Sequence, residues 1–186
     1  MRVISGIWRG RRLHVDGPGA RGLELRPTTD RVKEALFAGL GDRVRDAAVV
    51  DLCCGAGGLG IEALSRGAAR CHFVDVEGAA LAIARRNLDR CGAARDSYKL
   101  LRGDAVSRLA RLADGVTPLL VLSDPPYGPE PAEKIWKTML AKAVDGVLSL
   151  AVLEHLPEQA FDAPPAGWTH RRRRYGNTEL SFLEPE

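Results

Sequence analysis

The 186-residue chain contains few cysteines and histidines, and their spacing fits neither a disulfide framework nor a zinc site. There are four of each, and the histidines are scattered singly. The cysteines form no C-x-x-C pair; they are Cys53, Cys54, Cys71 and Cys91. Disulfide-rich domains and structural zinc sites both need paired, regularly spaced ligands. The sequence therefore argues against both classes and predicts no metal.

Long apolar segments are also missing. The longest apolar run, residues 147–153, includes Ser149 and is far shorter than a membrane-spanning helix of ~20 residues. Near the N-terminus, Arg9, Arg11 and Arg12 occupy the place where a secretory signal has its apolar region. We therefore expect a soluble, cytoplasmic protein with no membrane partner.

Apolar residues are plentiful overall, and the charges are unevenly distributed. Hydrophobic residues make up 45% of the chain and charged residues 27%, which suits a single domain with a buried core. The net charge is +3, but residues 1–33 carry +5 and the run Arg171–Arg174 carries +4, which leaves −6 on the remainder. Because clustered basic residues bind polyanions, this distribution predicts a phosphate-bearing partner. A merely solvated surface is the alternative.

Alternating strand and helix patterns from residue 48 onward predict an α/β fold. The predicted strands, with helices between the first five, cover residues 48–52, 71–75, 99–101, 119–122, 148–154, 169–175 and 178–183. Parallel strands joined by helices form right-handed crossovers. We therefore expect a mostly parallel sheet with helices on both faces, to which the closing hairpin adds an antiparallel strand.

The N-terminal segment precedes this pattern. Loose alternation over residues 2–15 predicts a β-hairpin, followed by a flexible glycine-containing connector. Thr28 or Thr29 is placed to cap a helix whose apolar residues recur every four positions. We therefore divide the chain into a hairpin and connector, residues 1–24, and a main domain, residues 25–186.

A glycine-rich turn after the first strand predicts a cofactor site. The turn has the pattern Gly55-x-Gly57-x-x-Gly60 and opens a helix, so that the backbone can approach a ligand closely. Asp75 ends the next strand, where a carboxylate accepts hydrogen bonds from ribose hydroxyls. Close strand–helix packing without a ligand is the alternative use of these glycines.

The charge at this turn favours S-adenosylmethionine over a dinucleotide. Asp51 stands just before the turn, where it would repel a pyrophosphate but attract an ammonium and a sulfonium. Asp104, after the third strand, suits the amine of an adenine ring. The predicted cofactor residues are Asp51, Gly55, Gly57, Asp75, Val76, Asp104 and Ala105.

The tetrapeptide Asp124-Pro125-Pro126-Tyr127 ends the fourth strand, at the sheet edge where ligands bind in open α/β folds. Its prolines remove two N–H donors and fix the backbone, which leaves carbonyls and one carboxylate as acceptors. This arrangement suits the exocyclic amine of a flat base, with Tyr127 stacking on the ring. The amine would attack a methyl group in line, and the base would have to be flipped out or unpaired. A purely structural proline-rich turn is the alternative.

Together these segments resemble the bacterial 16S ribosomal RNA guanine-N2 methyltransferases of the small-subunit methyltransferase D type, within the class I S-adenosylmethionine-dependent fold. The resemblance is carried by residues 2–13, 25–37, 51–68, 124–127 and 175–180. It implies a seven-stranded Rossmann-like sheet with one antiparallel strand and S-adenosylmethionine bound at the glycine turn. It also implies that Asp124, Pro125 and Tyr127 lie at the target amine. The implied substrate is one guanine of 16S rRNA, in the small ribosomal subunit or a late assembly intermediate.

Basic residues at both ends are expected to contact RNA. A hairpin with about 3.3 Å rise per residue could project roughly 20 Å from the domain. Trp8 would then stack on a base, and Arg9, Arg11 and Arg12 would bind phosphates, aided by Arg26 and by Arg171–Arg174. Packing of Trp8 against the domain is an equal alternative. A separate arm also predicts that removing residues 1–15 leaves cofactor binding intact and abolishes methyl transfer.

Two further functions remain open. A DNA adenine-N6 methyltransferase would use the same tetrapeptide, although 186 residues leave little room for a target-recognition domain. A non-catalytic nucleotide-binding module for ribosome assembly would tolerate replacement of Asp124. An NAD-dependent oxidoreductase is disfavoured by Asp51. The residues by themselves indicate an exocyclic amine, the guanine follows from the resemblance, and we expect a monomer.

Overall fold

Strands and helices alternate along the chain as the patterning predicts. The computed structural model describes residues 1–16, 29–112, 119–126 and 128–186. The helices are α1 (Asp30–Leu40), α2 (Gly58–Ser65), α3 (Gly78–Cys91), α4 (Ala105–Leu112) and α5 (Pro129–Val144). The strands are β1 (Ala48–Leu52), β2 (Arg70–Asp75), β3 (Tyr98–Arg102), β4 (Leu119–Ser123), β5 (Leu148–His155), β6 (Trp168–Tyr175) and β7 (Thr178–Pro185).

Local chemistry explains where two helices begin. Thr29 caps α1, because its hydroxyl oxygen accepts the N–H of Val32 at 3.3 Å. The sequence pattern predicts α5 only from residue 133, but the helix already starts at Pro129. A proline at the first helical position has a suitable φ and lacks an N–H that would have no partner there.

The seven strands form one sheet in the order β3-β2-β1-β4-β5-β7-β6. Among the seven described strands, β7 runs opposite to the other six, which confirms the predicted mostly parallel sheet. From β1 the chain first builds outward to β2 and β3, and then crosses to β4 on the other side. The carboxyl ends of β1 and β4 therefore flank the point where the winding direction changes, where open α/β sheets bind ligands.

Helices cover both faces of the sheet. One face packs against α1, α2 and α3, and the other against α4 and α5. Close packing at the first face depends on Gly60, because a β-carbon there would lie 2.4 Å from the Phe73 ring. Across the described ranges, no helix combines the length and apolarity that crossing a bilayer requires.

The first sixteen residues fold back on themselves but remain docked on the domain. They contain one antiparallel bridge, between Arg2 and Arg12, in place of the two predicted strands. Three of their side chains are buried in the core cluster of α1 and α2: Val3, Trp8 and Leu13. The predicted projecting arm is therefore wrong, and Trp8, at 8% exposure, packs in the core and offers no stacking surface. The predicted division at residue 24 falls outside the described residues.

A buried ion cluster fastens this N-terminal segment to two helices. The carboxylate of Glu62 in α2 accepts the backbone N–H groups of Ile4 and Ser5 at 2.7 and 2.9 Å. It also lies 2.8 Å from the guanidinium of Arg66 and 3.5 Å from the ammonium of Lys33 in α1. Burial lowers the pKa of Lys33, and the Glu62 charge opposes that shift. Lys33 is fully buried, so its charge does not belong to the basic surface that the sequence suggests.

Replacing Glu62 should therefore destabilise the whole domain. We expect Glu62→Ala to lower the free energy of unfolding by about 3–5 kcal/mol, because it leaves two backbone amides without their acceptor and the buried Lys33 ammonium without its carboxylate counterion. Urea denaturation measures the loss. The exposed Glu34 of α1 provides the control, and Glu34→Ala should change stability by no more than about 0.5 kcal/mol. Equal losses in the two variants would show that the buried cluster contributes little.

Candidate active site

A large cavity opens at the carboxyl edge of the sheet, across β1 and β4. Its volume is about 1080 Å³. Small-molecule sites usually occupy roughly 300–1,000 Å³, so this cavity is large enough for a cofactor with a second group beside it. The predicted residues that line it are Asp51, Gly55, Asp75, Val76, Asp104, Ala105, Asp124, Pro125 and Pro126. The sheet thus brings the two predicted sites into one space.

The glycine turn owes its shape to three residues in the left-handed backbone region. Cys53, Gly55 and Gly57 have φ angles of 57°, 53° and 83°. Cys53 is a non-glycine residue in this region, which costs about 1–3 kcal/mol and is characteristic of functional turns. Burial raises the pKa of its thiol to about 12, which keeps the sulfur protonated. Gly57 does not line the cavity; it precedes α2 and packs against Phe73.

Asp51 is a buried carboxyl group beside this turn. It is 1% exposed, and its Oδ2 accepts the N–H of Gly60 at 2.8 Å. Burial raises the pKa of Asp51 to about 8, and the charges of Asp124 and Asp75 add to the shift. A cationic ligand would relieve both effects by favouring the ionised form. Among the residues that the structure describes, no group of three or more histidine, cysteine or acidic side chains is placed to share a metal ion.

Asp75 and Asp104 support the loops that surround the cavity. Asp75 accepts the N–H of Gly55 with one carboxylate oxygen and that of Glu77 with the other, each at 2.9 Å. Asp104 accepts the N–H of Ser107 at 2.8 Å at the start of α4, and such bonds lower the pKa of Asp104. Each carboxylate oxygen has a second lone pair for a ligand. Next to Asp75, Val76 is 53% exposed and gives the cavity an apolar surface suited to a planar ring.

The proline loop lies directly after β4. Asp124 is half-buried, Pro125 is buried and Pro126 is exposed, and all three line the cavity. Tyr127 and Arg26, which the sequence assigns to base stacking and RNA contact, lie outside the described residues. Asp124 and Asp51 are close enough for their charges to interact, as the pKa of Asp51 shows.

Several lining residues were not predicted from the sequence. They include Met1, Val15, Lys134, Glu154, Tyr175 and Thr178. Glu154 could have been found, because it ends the predicted fifth strand, residues 148–154, just as Asp124 follows the fourth. Met1 lies against the glycine turn, where a β-carbon on Gly58 would come within 2.5 Å of its sulfur. The N-terminal segment is thus part of the cavity wall, which contradicts the premise that residues 1–15 can be removed without affecting cofactor binding.

The basic run in the edge strand β6 is largely paired within the protein. Arg171 contacts the Glu184 carboxylate at 2.7 Å, and Arg172 forms two bonds with Glu179, at 2.9 and 2.8 Å. These arginines lower the pKa of both glutamates. Arg173 is exposed. Arg174 lies 3.6 Å from the Glu158 carboxylate, so three of the four arginines that the sequence assigns to RNA contact have an acidic partner within the protein.

A second basic surface combines the N-terminal segment with α3. Arg11 donates to the backbone carbonyl of Arg90 at 2.8 Å, and Arg86 donates to the carbonyl of Asp16 at 3.3 Å. The N-terminal basic surface, as we name it, comprises Arg9, Arg11, Arg12, Arg86 and Arg90, all exposed. The two α3 arginines were not predicted, because their proximity depends on the docking of the N-terminal segment.

Relatives of known description match all or most of the chain. A family model described as conserved hypothetical protein 95 matches residues 1–184. The ribosomal RNA small subunit methyltransferase D of Escherichia coli (strain K12) is 33% identical over 188 residues, covering 100% of this chain and 90% of that protein. The protein of the same name from Haemophilus influenzae is 32% identical over 127 residues, covering 68% of this chain and 64% of that protein.

Solved structures also superpose on most or all of the chain. The Escherichia coli protein yhhF superposes with a TM-score of 0.81 at 29% identity, covering 100% of this chain and 98% of that one. An RNA methyltransferase from Salinibacter ruber, solved with S-adenosyl-L-homocysteine, has a TM-score of 0.61 at 20% identity, which shows the fold alone; it covers 87% of this chain and 95% of that one. The chain therefore belongs to the conserved hypothetical protein 95 family and, with it, to the ribosomal RNA small subunit methyltransferase D family.

Proposed function

We propose that the protein transfers a methyl group from S-adenosylmethionine to the exocyclic N2 amine of a guanine in 16S rRNA. One observation carries this proposal: a single cavity holds both the acid-lined glycine turn and the acceptor-only proline loop. Direct methyl transfer requires donor and acceptor to be held in contact in one desolvated space. The relatives described as ribosomal RNA small subunit methyltransferases support rRNA as the substrate.

The cavity residues fit S-adenosylmethionine in charge and shape. Asp51 would attract its cationic end, since Asp51 lies in an acidic surrounding and has no basic group bonded to it among the described contacts. Asp75 would accept from the ribose hydroxyls and Asp104 from the adenine amine, with Val76 against the ring. When bound, S-adenosylmethionine supplies an electrophilic methyl group.

Asp124 and Pro125 would prepare the amine of the base. The Asp124 carboxylate and the Pro125 carbonyl each accept one N–H, which draws the nitrogen lone pair out of conjugation with the ring. The nitrogen would use this lone pair to form its new bond to the methyl carbon while the carbon–sulfur bond breaks, which leaves S-adenosyl-L-homocysteine as the product. The nitrogen would then lose a proton, for which the Asp124 carboxylate is the predicted acceptor. The protein contributes position and fixed electrostatics, and neither requires a covalent intermediate.

We place the rRNA on the N-terminal basic surface. Its arginines are exposed, and the N-terminal segment that carries three of them also reaches the cavity wall through Met1 and Val15, so RNA bound to this surface could extend along the segment to the site. Arg171 and Arg172 would contribute less, because they are paired with glutamates. Such a substrate, in the small subunit or a late assembly intermediate, would put the protein in the cytoplasm, and we propose that it acts as a monomer.

Cofactor binding should release a proton. In the free protein at pH 7, Asp51 is mostly protonated because its pKa is about 8, and a bound cation should lower that pKa. We expect S-adenosylmethionine to release close to one proton at pH 7 and fewer as the pH rises through the pKa. Calorimetry in buffers of different ionisation enthalpy counts the protons.

Two variants test whether Asp51 is the source of the released proton. Asp51→Asn should bind without proton release. Asp104→Asn alters another acid of the same cavity, but its lowered pKa means that it is already ionised, so release should be unchanged. Wild-type binding without any proton release would contradict the proposed role of Asp51.

Replacing Asp124 should separate chemistry from cofactor binding. We expect Asp124→Asn to lower kcat/KM by roughly 100- to 1,000-fold, as for the loss of one preorganised electrostatic contact, with the Kd for S-adenosylmethionine nearly unchanged. Asp145→Asn, at the opposite edge of the sheet, should retain full activity.

The assay also separates the candidate functions. Radiolabelled methyl transfer would be measured on small subunits lacking the modification, on protein-free 16S rRNA and on duplex DNA, with the product nucleoside identified by mass spectrometry. N2-methylguanosine in rRNA is the expected product. N6-methyladenine in DNA would support the DNA enzyme, and no transfer to any substrate would support the non-catalytic module.

The salt dependence of RNA binding should identify the interface. Each lost phosphate contact reduces the slope of log Kd against log salt concentration by about 0.7–0.9. We expect that reduction for each of Arg12→Ala and Arg90→Ala on the N-terminal basic surface, and a smaller one for each of Arg171→Ala and Arg172→Ala. The reverse order would place the RNA on β6.

A further inference from the structure

A second carboxylate lines the cavity beside the proline loop. Glu154 is the penultimate residue of β5, is 5% exposed and lines the same cavity as Asp124. β4 and β5 pair in parallel with Ser123 opposite Leu153, so Asp124 and Glu154 occupy the next position on each chain. Because paired strands lie about 4.8 Å apart, the backbones of the two acids are neighbours at one edge.

Thr178 holds the Glu154 carboxylate in a defined orientation. Thr178 is the first residue of the antiparallel strand β7, and its hydroxyl lies 3.1 Å from Glu154 Oε1 and 3.2 Å from the backbone carbonyl of His155, so these two acceptors share its one proton. A carboxylate in a largely dry site is costly unless donors surround it. The fold thus maintains a fixed acceptor next to the loop proposed to bind the amine.

We propose that Glu154 binds the N1–H of the target guanine while Asp124 and Pro125 bind its N2 amine. This inference rests on the proposed function and names its base-recognition site. Guanine presents N1–H and the N2 amine as adjacent donors, which match two adjacent carboxylates. Adenine and cytosine present an acceptor nitrogen beside their amine, and Glu154 would repel it. A site that leaves a buried polar group unmatched discriminates strongly against the wrong base.

The test replaces the target guanine with 2-aminopurine, which keeps the 2-amine but has an acceptor at N1. Small subunits are reconstituted with 16S rRNA carrying either base at the methylated position. We expect the wild type to favour guanine in kcat/KM by roughly 10- to 100-fold, the effect of one hydrogen bond to a charged group. Equal rates in the wild type would overturn the proposal without the need for any variant.

Glu154→Gln should reverse this preference. In this variant Thr178 would donate to the amide oxygen, so that the NH2 group of Gln faces the base. Two donors would then oppose each other at the N1–H of guanine. With 2-aminopurine, the NH2 group would instead donate to the N1 acceptor. We therefore expect the guanine to 2-aminopurine ratio to fall to one or below. A purely structural role would slow both substrates equally and leave the ratio unchanged, which would refute the proposal.

Glu179→Gln is the matched control. It changes another buried glutamate, on β7, that does not line the cavity, and the base ratio should remain that of the wild type. Failure of the wild type to methylate either rRNA would instead count against the proposed function itself, so the two failures are distinguishable.

Discussion

Five acidic residues stand at the carboxyl ends of the five neighbouring parallel strands, and the parallel order brings them to one edge of the sheet. They are Asp51, Asp75, Asp104, Asp124 and Glu154, each within two residues of the end of its strand. Partial burial of so much like charge raises the free energy of the empty site, as the pKa of Asp51 shows. A ligand with positive charge and hydrogen-bond donors relieves that repulsion. The proposed cofactor and the amine-bearing edge of guanine have these properties.

The chain stabilises these carboxylates with its own donors before any ligand arrives. Backbone N–H groups bond to Asp51, Asp75 and Asp104, and the Thr178 hydroxyl bonds to Glu154. The donors come from the starts of helices, from the glycine turn and from the one antiparallel strand. Because the acids are already oriented, little reorganisation is needed as the reaction proceeds, which is the main source of electrostatic catalysis. The left-handed backbone conformation at Cys53 contributes to the orientation of these acids, because it lies in the turn that directs the Gly55 amide to Asp75.

Sequence reasoning succeeded where the signal is local. The spacing of apolar residues predicted all seven strands of the sheet. Acidic residues near the ends of predicted strands identified four of the five carboxylates at the cavity. Glu154 obeys the same rule but has no neighbouring glycine or proline pattern to mark it. The sequence could not decide whether Trp8 stacks on RNA or packs on the domain, and it counted Lys33 with the N-terminal charge. Burial depends on what packs over a residue, here α2 and its Glu62. The pairing of Arg171 and Arg172 depends on the register between β6 and β7, which places glutamates within reach of both.

The N-terminal segment links the two halves of the proposed function. Its backbone is bonded to Glu62, its Met1 lies against the glycine turn, and its arginines form part of the exposed basic surface. A flexible arm could bind RNA without affecting the cofactor, whereas this segment cannot move without changing the cavity wall. The buried Glu62 cluster thus fixes the position of the proposed RNA surface relative to the residues proposed to act on the base. Positioning of a flipped base to within an ångström demands such a constraint, because small displacements from the reactive geometry greatly reduce the rate.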